Sequence, residues 1–158
     1  MKNRIQKLAI VMLGIVLSVS TFVMPARADQ KFMQAALKDL KTAQSYLKKA
    51  TADKGGHRQN ALDLVARAIN SVNNGIDYDR KNSNDKRRRR NDIDLFETNF
   101  TPVADQYNMQ QAKNFLESAL SNLQKASADK GGYREQAMGS VRDAISETQQ
   151  GIDYDRRN

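Results

Sequence analysis

The sequence predicts an all-α protein made of two tandem αα-hairpins that pack together as a four-helix bundle. Residues 33–82 align with residues 109–158 without a gap, with 26 identities in 50 positions. Each copy carries apolar residues at helical spacing on both sides of a Gly-Gly pair, and the period-two alternation of strands is absent. The chain is therefore a tandem duplication in which each copy is one helical hairpin.

Two apolar stripes in each copy define its two helices, because the apolar residues recur every three or four positions. The first stripe holds Ala36, Leu40, Ala43, Leu47 and Ala50, matched by Ala112, Leu116, Ala119, Leu123 and Ala126. The second holds Ala61, Val65, Ala68 or Ile69, and Val72, matched by Ala137, Val141, Ala144 or Ile145, and Thr148. Alanine stripes bury little area, and a lone hairpin of ~50 residues is marginal in water. We therefore expect the hairpins to pack on each other; the alternative is two hairpins separated on a flexible linker or paired with another molecule.

A tight turn joins the two helices of each copy. The phrase ADKGGHR at 52–58 lies between the two stripes and returns as ADKGGYR at 128–134. Gly55 and Gly56 can take the positive φ angles that end one helix and start another. Asp53 can accept backbone N–H bonds at the start of the second helix, where its charge is favourable.

The N-terminus has the layout of a secretory signal. Three basic side chains in the first seven residues precede an apolar stretch at 8–17, then Pro25 and the small residues Ala26 and Ala28. We predict a signal peptide over 1–28, cleaved after Ala28, and a bacterial periplasmic or secreted protein. An uncleaved membrane anchor is the alternative, although the apolar core is short for a span of ~20 residues. No later segment is apolar enough to span a membrane.

Composition narrows the function classes. The chain has no cysteine, which excludes disulfides, thiolate metal sites and thiol nucleophiles. The formal net charge is +8, and the predicted signal holds four basic residues and no acidic one, which leaves +4 on the mature chain. Four consecutive arginines at 87–90 match that excess, so the high pI alone does not indicate a nucleic-acid-binding surface.

The sequence predicts no enzyme and no cofactor. His57 is the single histidine, and the second copy has Tyr133 in its place. No nucleophile, base and orienting acid occur at a diagnostic spacing. Met33 and Met109 have no inward histidine to complete a haem site.

The motif GIDYD closes each copy, at 75–79 and at 151–155, and is a candidate metal site. Carboxylates at alternate positions near a helix end can offer oxygen ligands to a hard cation such as calcium. The candidate ligands are Asp77, Asp79, Asp153 and Asp155. The structural interpretation is that the glycine loosens or ends the helix, isoleucine and tyrosine pack on the hairpin's other helix, and aspartate pairs with arginine in solvent.

The DKGG turns, at 53–56 and 129–132, are candidate anion sites. Glycines at a helix start expose backbone N–H groups, and basic side chains beside them would surround a phosphate or carboxylate. The candidate residues are Lys54, Gly55, Gly56 and Arg58, with Lys130, Gly131, Gly132 and Arg134 in the second copy. The structural interpretation is a turn that needs no ligand.

Within one hairpin the turn and the GIDYD motif lie at opposite ends, about 27 Å apart for ~18 helical residues. If the hairpins pack head to tail, the turn of one meets the end motif of the other, twice by pseudo-symmetry. This hypothesis places Lys54 or Arg58 near Asp153 or Asp155.

A polar linker over 83–108 joins the repeats and contains Arg87, Arg88, Arg89 and Arg90, here called the arginine run. The run can bind a polyanion by neutralising phosphate or sulfate groups, with strong salt dependence. The simpler interpretation is a solvated linker that proteases cleave easily.

The pattern ADKGGHR followed by GIDYD resembles short exported bacterial proteins, mostly uncharacterised, in which one helical hairpin follows a signal peptide. The resemblance covers 33–82 and 109–158 and implies an exported all-α protein with no assigned activity. We expect mature repeats at 29–82 and 109–158 that act by binding or protein interaction in the cell envelope, with an unknown protein as the first candidate partner. The alternatives are a small-ion carrier or sensor, of a metal or an anion, and a polyanion binder through the arginine run.

Overall fold

The computed structural model describes residues 26–51, 54–82, 105–128 and 130–157, and these residues form four α-helices. The helices are α1 (Ala26–Lys49), α2 (His57–Asn82), α3 (Asp105–Lys125) and α4 (Tyr133–Arg157). Residues 1–25 lie outside the described residues, and they hold most of the predicted signal peptide. Asp53 and the arginine run also lie outside the described residues. None of the described helices combines the length and apolarity needed to cross a membrane.

The two hairpins pack on each other as a four-helix bundle, which confirms the predicted fold class. Helix α1 packs against α3 and α2 packs against α4, in addition to the packing within each hairpin. Asn108 at the start of α3 donates a hydrogen bond to the carbonyl oxygen of Lys49 at the end of α1 (3.5 Å). Lys54, just before α2, contacts Asp155 near the end of α4. Each helix is therefore antiparallel to both of its neighbours.

This arrangement explains why the repeats need a long connection. Helices α2 and α3 run in the same direction, so the chain between Asn82 and Asp105 joins opposite ends of the bundle, as in bundles with one long crossover. Helix α3 begins at Asp105, four residues before the second copy begins at Met109. The last four residues of the predicted linker are thus helical.

The core consists of the predicted stripes. All of their alanine, leucine and valine positions are buried, together with Met33, Met109, Ile76 and Ile152. At two places the sequence allowed either an alanine or the following isoleucine to be the core residue. The alanines, Ala68 and Ala144, are fully buried, and Ile69 and Ile145 pack at the border of the core. Thr148 is buried at the position that corresponds to Val72 in the first repeat. Its hydroxyl group is satisfied in the core, because its Oγ1 donates to the carbonyl oxygen of Ala144 (2.7 Å).

The α1–α3 interface uses different chemistry at two pseudo-equivalent places. Tyr46 stacks on Phe115 with ring centroids 5.7 Å apart. At the related place, Asn122 donates to the Oδ2 of Asp39 (2.9 Å). Asn122 is the repeat equivalent of Tyr46, and Phe115 is that of Asp39. Two copies of the first hairpin would place Tyr46 against a carboxylate, so these contacts favour pairing of unlike hairpins.

Gly139 in α4 provides a test of this packing. A Cβ added there meets no atom within 4 Å, whereas a Cβ at Gly151 in the same helix would lie 2.6 Å from the Cε of Met109. Gly139→Ala should raise the free energy of unfolding by about 0.5–1 kcal/mol through helix propensity. Gly151→Ala, the matched control, should lose most or all of that gain because Met109 must move. Urea denaturation followed by circular dichroism measures both; an equal gain at the two positions would contradict the close packing at Gly151.

Candidate functional site

The DKGG turns and the GIDYD motifs meet across the interface between the repeats. The ammonium group of Lys54 forms an ion pair with Asp155, and at the other end of the bundle Lys130 pairs with Asp79 (2.5 Å). The head-to-tail hypothesis is thus confirmed for the lysines. Of the two basic residues that the hypothesis offered, Lys54 makes the contact, while the Nη1 of Arg58 donates to the carbonyl oxygen of Leu47 (3.3 Å).

A tyrosine ring from the opposite repeat lies close to the first glycine of each turn. Gly55 and Gly131 both have a φ of 59°. A Cβ at Gly55 would lie 2.9 Å from the Cδ2 of Tyr154, and a Cβ at Gly131 would lie 2.9 Å from the Cδ2 of Tyr78. The absence of a Cβ therefore permits both the left-handed backbone and the approach of the ring. The second glycines, Gly56 and Gly132, also have positive φ, as predicted.

The GIDYD motif does not end its helix, which corrects the structural interpretation of the sequence. Helix α2 continues through Gly75 to Asn82, and α4 continues to Arg157. Gly75 is buried, and a Cβ there would lie 2.8 Å from the Cε of Met33 and 3.6 Å from the Cβ of Lys130. The glycine thus allows α1 and the turn of the other repeat to approach α2. The tyrosine of the motif lies against the first glycine of the other repeat's turn.

The two lysines are buried charges with carboxylate partners. Lys54 is 2% exposed and Lys130 is 3% exposed. The side chains of their partners are more accessible, with Asp155 24% exposed and Asp79 16% exposed. An ammonium group withdrawn from water requires a charged or strongly polar partner. These ion pairs therefore hold the ends of the two hairpins together, and an anion entering either turn would compete with an aspartate of the protein.

The remaining residues of the candidate anion sites also make contacts within the protein. Arg134 repeats the role of Arg58, because its Nη1 donates to the carbonyl oxygen of Ala126 (3.2 Å). Each arginine thus binds a carbonyl oxygen in the last turn of its own hairpin's first helix or just after it, as basic side chains commonly do there. Gly56 and Gly132 are exposed, with open space around them.

The four aspartates of the candidate metal site do not converge. Asp77 accepts a hydrogen bond from Arg80 (2.8 Å), and Asp153 accepts one from Gln149 (3.0 Å). Because the helix is continuous, residues two apart project about 200° from each other, so Asp77 and Asp79 point to different sides. Among the described residues no three histidine, cysteine, aspartate or glutamate side chains form a group that would hold a metal ion.

A third polar contact occurs at one end of the bundle alone, and sequence reasoning missed it. The Nδ1 of His57 lies 2.8 Å from the Oε2 of Glu147, which also accepts a hydrogen bond from Asn60 (3.1 Å). The hydrogen bond with His57, helped by Asn60 and the attraction of the imidazole, lowers the pKa of Glu147 against the opposing effect of burial. The equivalent positions hold Tyr133 and Ser71. Both members of the pair change together between the copies, which is the signal that points to their contact.

The lowered pKa of Glu147 predicts an acid-sensitive contribution to stability. A carboxyl group whose pKa is lower in the folded state stabilises the fold above its unfolded value, about 4.3, and loses this contribution as the pH falls through the folded value. The stability difference between the wild type and Glu147→Gln should be a few tenths of a kcal/mol at pH 6 and should vanish near pH 3. Urea titrations at both pH values measure it. A Ser71→Glu, Tyr133→His double variant should add the same pH dependence of stability at the other end of the bundle. A stability difference for Glu147→Gln that does not change with pH would contradict the role of the His57–Glu147 contact.

No protein-family model, no curated protein and no solved structure matches this chain. The resemblance to exported single-hairpin proteins stays a prediction.

Proposed function

We propose that this chain is an exported, non-enzymatic protein of the bacterial cell envelope that acts by binding, with the four-helix bundle as its scaffold. One observation carries the proposal: the lysine of each turn and the second aspartate of each end motif are used between the repeats, in the pairs Lys54–Asp155 and Lys130–Asp79. Repetition of these motifs is thus accounted for by assembly of the bundle, and interaction with a partner falls to the outer faces of the helices.

The N-terminal sequence supports the exported location. Its basic start, short apolar segment and Ala-Arg-Ala end are typical of a cleaved signal. Expression in a bacterial host followed by fractionation tests this part. We expect periplasmic or extracellular protein whose N-terminal sequence starts at Asp29. Unprocessed protein that stays in the cytoplasm would overturn the location.

Thermal unfolding of the full chain separates the binding proposal from the ion-carrier alternative. Calcium, magnesium, zinc, inorganic phosphate and dextran sulfate are added in turn, at low and high salt. A ligand at ~100 times its Kd stabilises the native state by about 2.7 kcal/mol, which a melting curve resolves. We expect no stabilisation that a chelator reverses. A chelator-reversible shift that Asp79→Asn and Asp155→Asn abolish would instead support a metal carrier, and a phosphate shift lost in Lys54→Gln would support an anion carrier.

A further inference from the structure

The outward face of α1 carries a row of lysines, here called the lysine face: Lys31, Lys38, Lys41 and Lys48. All four side chains are exposed, and they make no ion pair within the described residues. Their spacings of seven, three and seven residues place them within an arc of about 100°, on the side opposite the buried stripe. The row extends over about 26 Å of helix. It is a linear array of positive charge.

The second repeat shows that the fold does not require this row. Helix α3 has the same buried stripe as α1 and occupies the pseudo-equivalent place in the bundle. Its residues at the equivalent positions are Tyr107, Asn114, Glu117 and Gln124, none of them basic. Like charges three or four residues apart on a helix, such as Lys38 and Lys41, repel each other and are slightly destabilising. A row that includes a repelling pair and that its twin lacks indicates a role outside the fold.

The chemistry around the lysine face narrows the class of ligand. Protein interfaces have an apolar or aromatic centre, membrane-binding helices insert apolar side chains, and single-stranded nucleic acids stack on aromatic rings. Among the described residues the one exposed large hydrophobic side chain is Tyr107, which belongs to α3. The lysine face therefore offers charge along a line and no apolar anchor, a combination suited to a linear polymer with repeated anionic groups.

We propose that the lysine face of α1 binds a linear anionic polysaccharide that carries carboxylate or sulfate groups. The choice of a polysaccharide over a nucleic acid rests on the proposed function, because an exported protein meets the polysaccharides of the cell surface. The lysine ammonium groups neutralise successive anionic groups and release counterions, so affinity falls steeply with salt. Of the four described helices, α1 alone presents this row, so binding has one orientation relative to the bundle.

The test measures binding of the full chain to fluorescently labelled polygalacturonate and dextran sulfate over a range of salt concentrations. A variant with all four lysines of the face changed to glutamine should bind about tenfold more weakly or worse at low salt, with a shallower salt dependence. The matched control removes four exposed basic side chains from the other helices: Arg67→Gln, Lys81→Gln, Arg142→Gln and Arg157→Gln. It has the same net charge as the first variant, and its affinity should fall by less than about threefold. Equal losses in the two variants would overturn the proposal, since net charge alone would explain binding.

Further variants separate the lysine face from the arginine run and from other ligands. Glutamine at all four positions of the run should leave the effect of the lysine-face variant in place; if the run variant loses all binding and the lysine-face variant loses none, the proposal is wrong. A gain-of-function variant builds a second row on α3 and should strengthen binding; its changes are Tyr107→Lys, Asn114→Lys, Glu117→Lys and Gln124→Lys.

A comparison of ligand classes tests the choice of a polysaccharide. Tighter binding to a single-stranded DNA oligomer or to phosphatidylglycerol vesicles than to either polysaccharide would overturn the proposal. Failure of these tests with a processed, exported chain leaves the proposed function intact, whereas a chain that stays in the cytoplasm contradicts that function itself.

Discussion

Replacing Asp79 with asparagine should lower the free energy of unfolding by about 3 kcal/mol. The substitution keeps the size of the side chain but removes the charge that faces the ammonium group of Lys130, which is 3% exposed. Removing one partner of a buried ion pair is costly because the other charge stays withdrawn from water. The expected loss of stability is at the low end of the range for buried ion pairs because the Asp79 side chain is still 16% exposed.

Asp77 is the matched control for this prediction, since it lies in the same helix two residues away. Its side chain is 54% exposed and pairs with Arg80 on the surface. Asp77→Asn should change the free energy of unfolding by less than about 0.5 kcal/mol. Urea denaturation followed by circular dichroism gives both values. Similar small effects at the two positions would show that the interior pair contributes no more than a surface one.

A double variant distinguishes loss of the ion pair from loss of the side chain. Asp79→Leu with Lys130→Met replaces the pair by apolar groups of similar volume, and such replacements are often neutral or stabilising. We expect the double variant to be more stable than Asp79→Asn by about 2 kcal/mol or more. Asp155→Asn at the other end should have a smaller effect than Asp79→Asn, because Asp155 is more exposed. A double variant as unstable as Asp79→Asn would indicate that packing by the lysine and aspartate stems, rather than charge, dominates at this end.

The parts of the fold that the sequence predicts are those with a local or repeated signal. Helical spacing of residues such as Leu40 and Val65 places them in the core, where the structure buries them fully. Duplication, combined with the length of one hairpin, brings the turn of one repeat to the end motif of the other. From the sequence this geometry offers Lys54 or Arg58 near Asp153 or Asp155, and the structure shows that Lys54 pairs with Asp155.

Other contacts depend on tertiary packing that no local pattern encodes. Glycine in a helix costs up to about 1 kcal/mol relative to alanine, so the sequence suggests that α2 weakens at Gly75. In the folded protein, the missing Cβ makes room for Met33 and for the turn of the other repeat, and this packing keeps the helix intact. Tyr78 shows the same limit, because the sequence directs it to its own hairpin while the structure places it on Gly131.

The differences between the copies carry information that the identities do not. Identical residues form the bundle ends twice, and they would fit equally well between two first hairpins or two second hairpins. The pairs Tyr46–Phe115 and His57–Glu147 join residues that are unlike their repeat equivalents. Divergence at these positions therefore favours association of unlike hairpins, which within one chain yields the observed bundle.

Gly131→Ala should lower the free energy of unfolding by about 3 kcal/mol, through two separate effects. A φ of 59° is unfavourable for alanine by roughly 1 kcal/mol. The added Cβ would also lie 2.9 Å from the Cδ2 of Tyr78, so the ring must leave its place on the turn, and overpacking of this kind costs roughly 1–3 kcal/mol.

Gly132 separates the two effects, because it also has a positive φ (78°) while a Cβ there meets nothing within 4 Å. Gly132→Ala should therefore show the backbone strain alone, roughly 1 kcal/mol. In a Tyr78→Ala background the clash is absent, and Gly131→Ala should then cost no more than Gly132→Ala. This double-mutant cycle measures how much of the turn's stability comes from the other repeat. If Gly131→Ala costs the same with and without the Tyr78 ring, the turn is fixed by its own backbone, and the tyrosine of the GIDYD motif does not join the repeats.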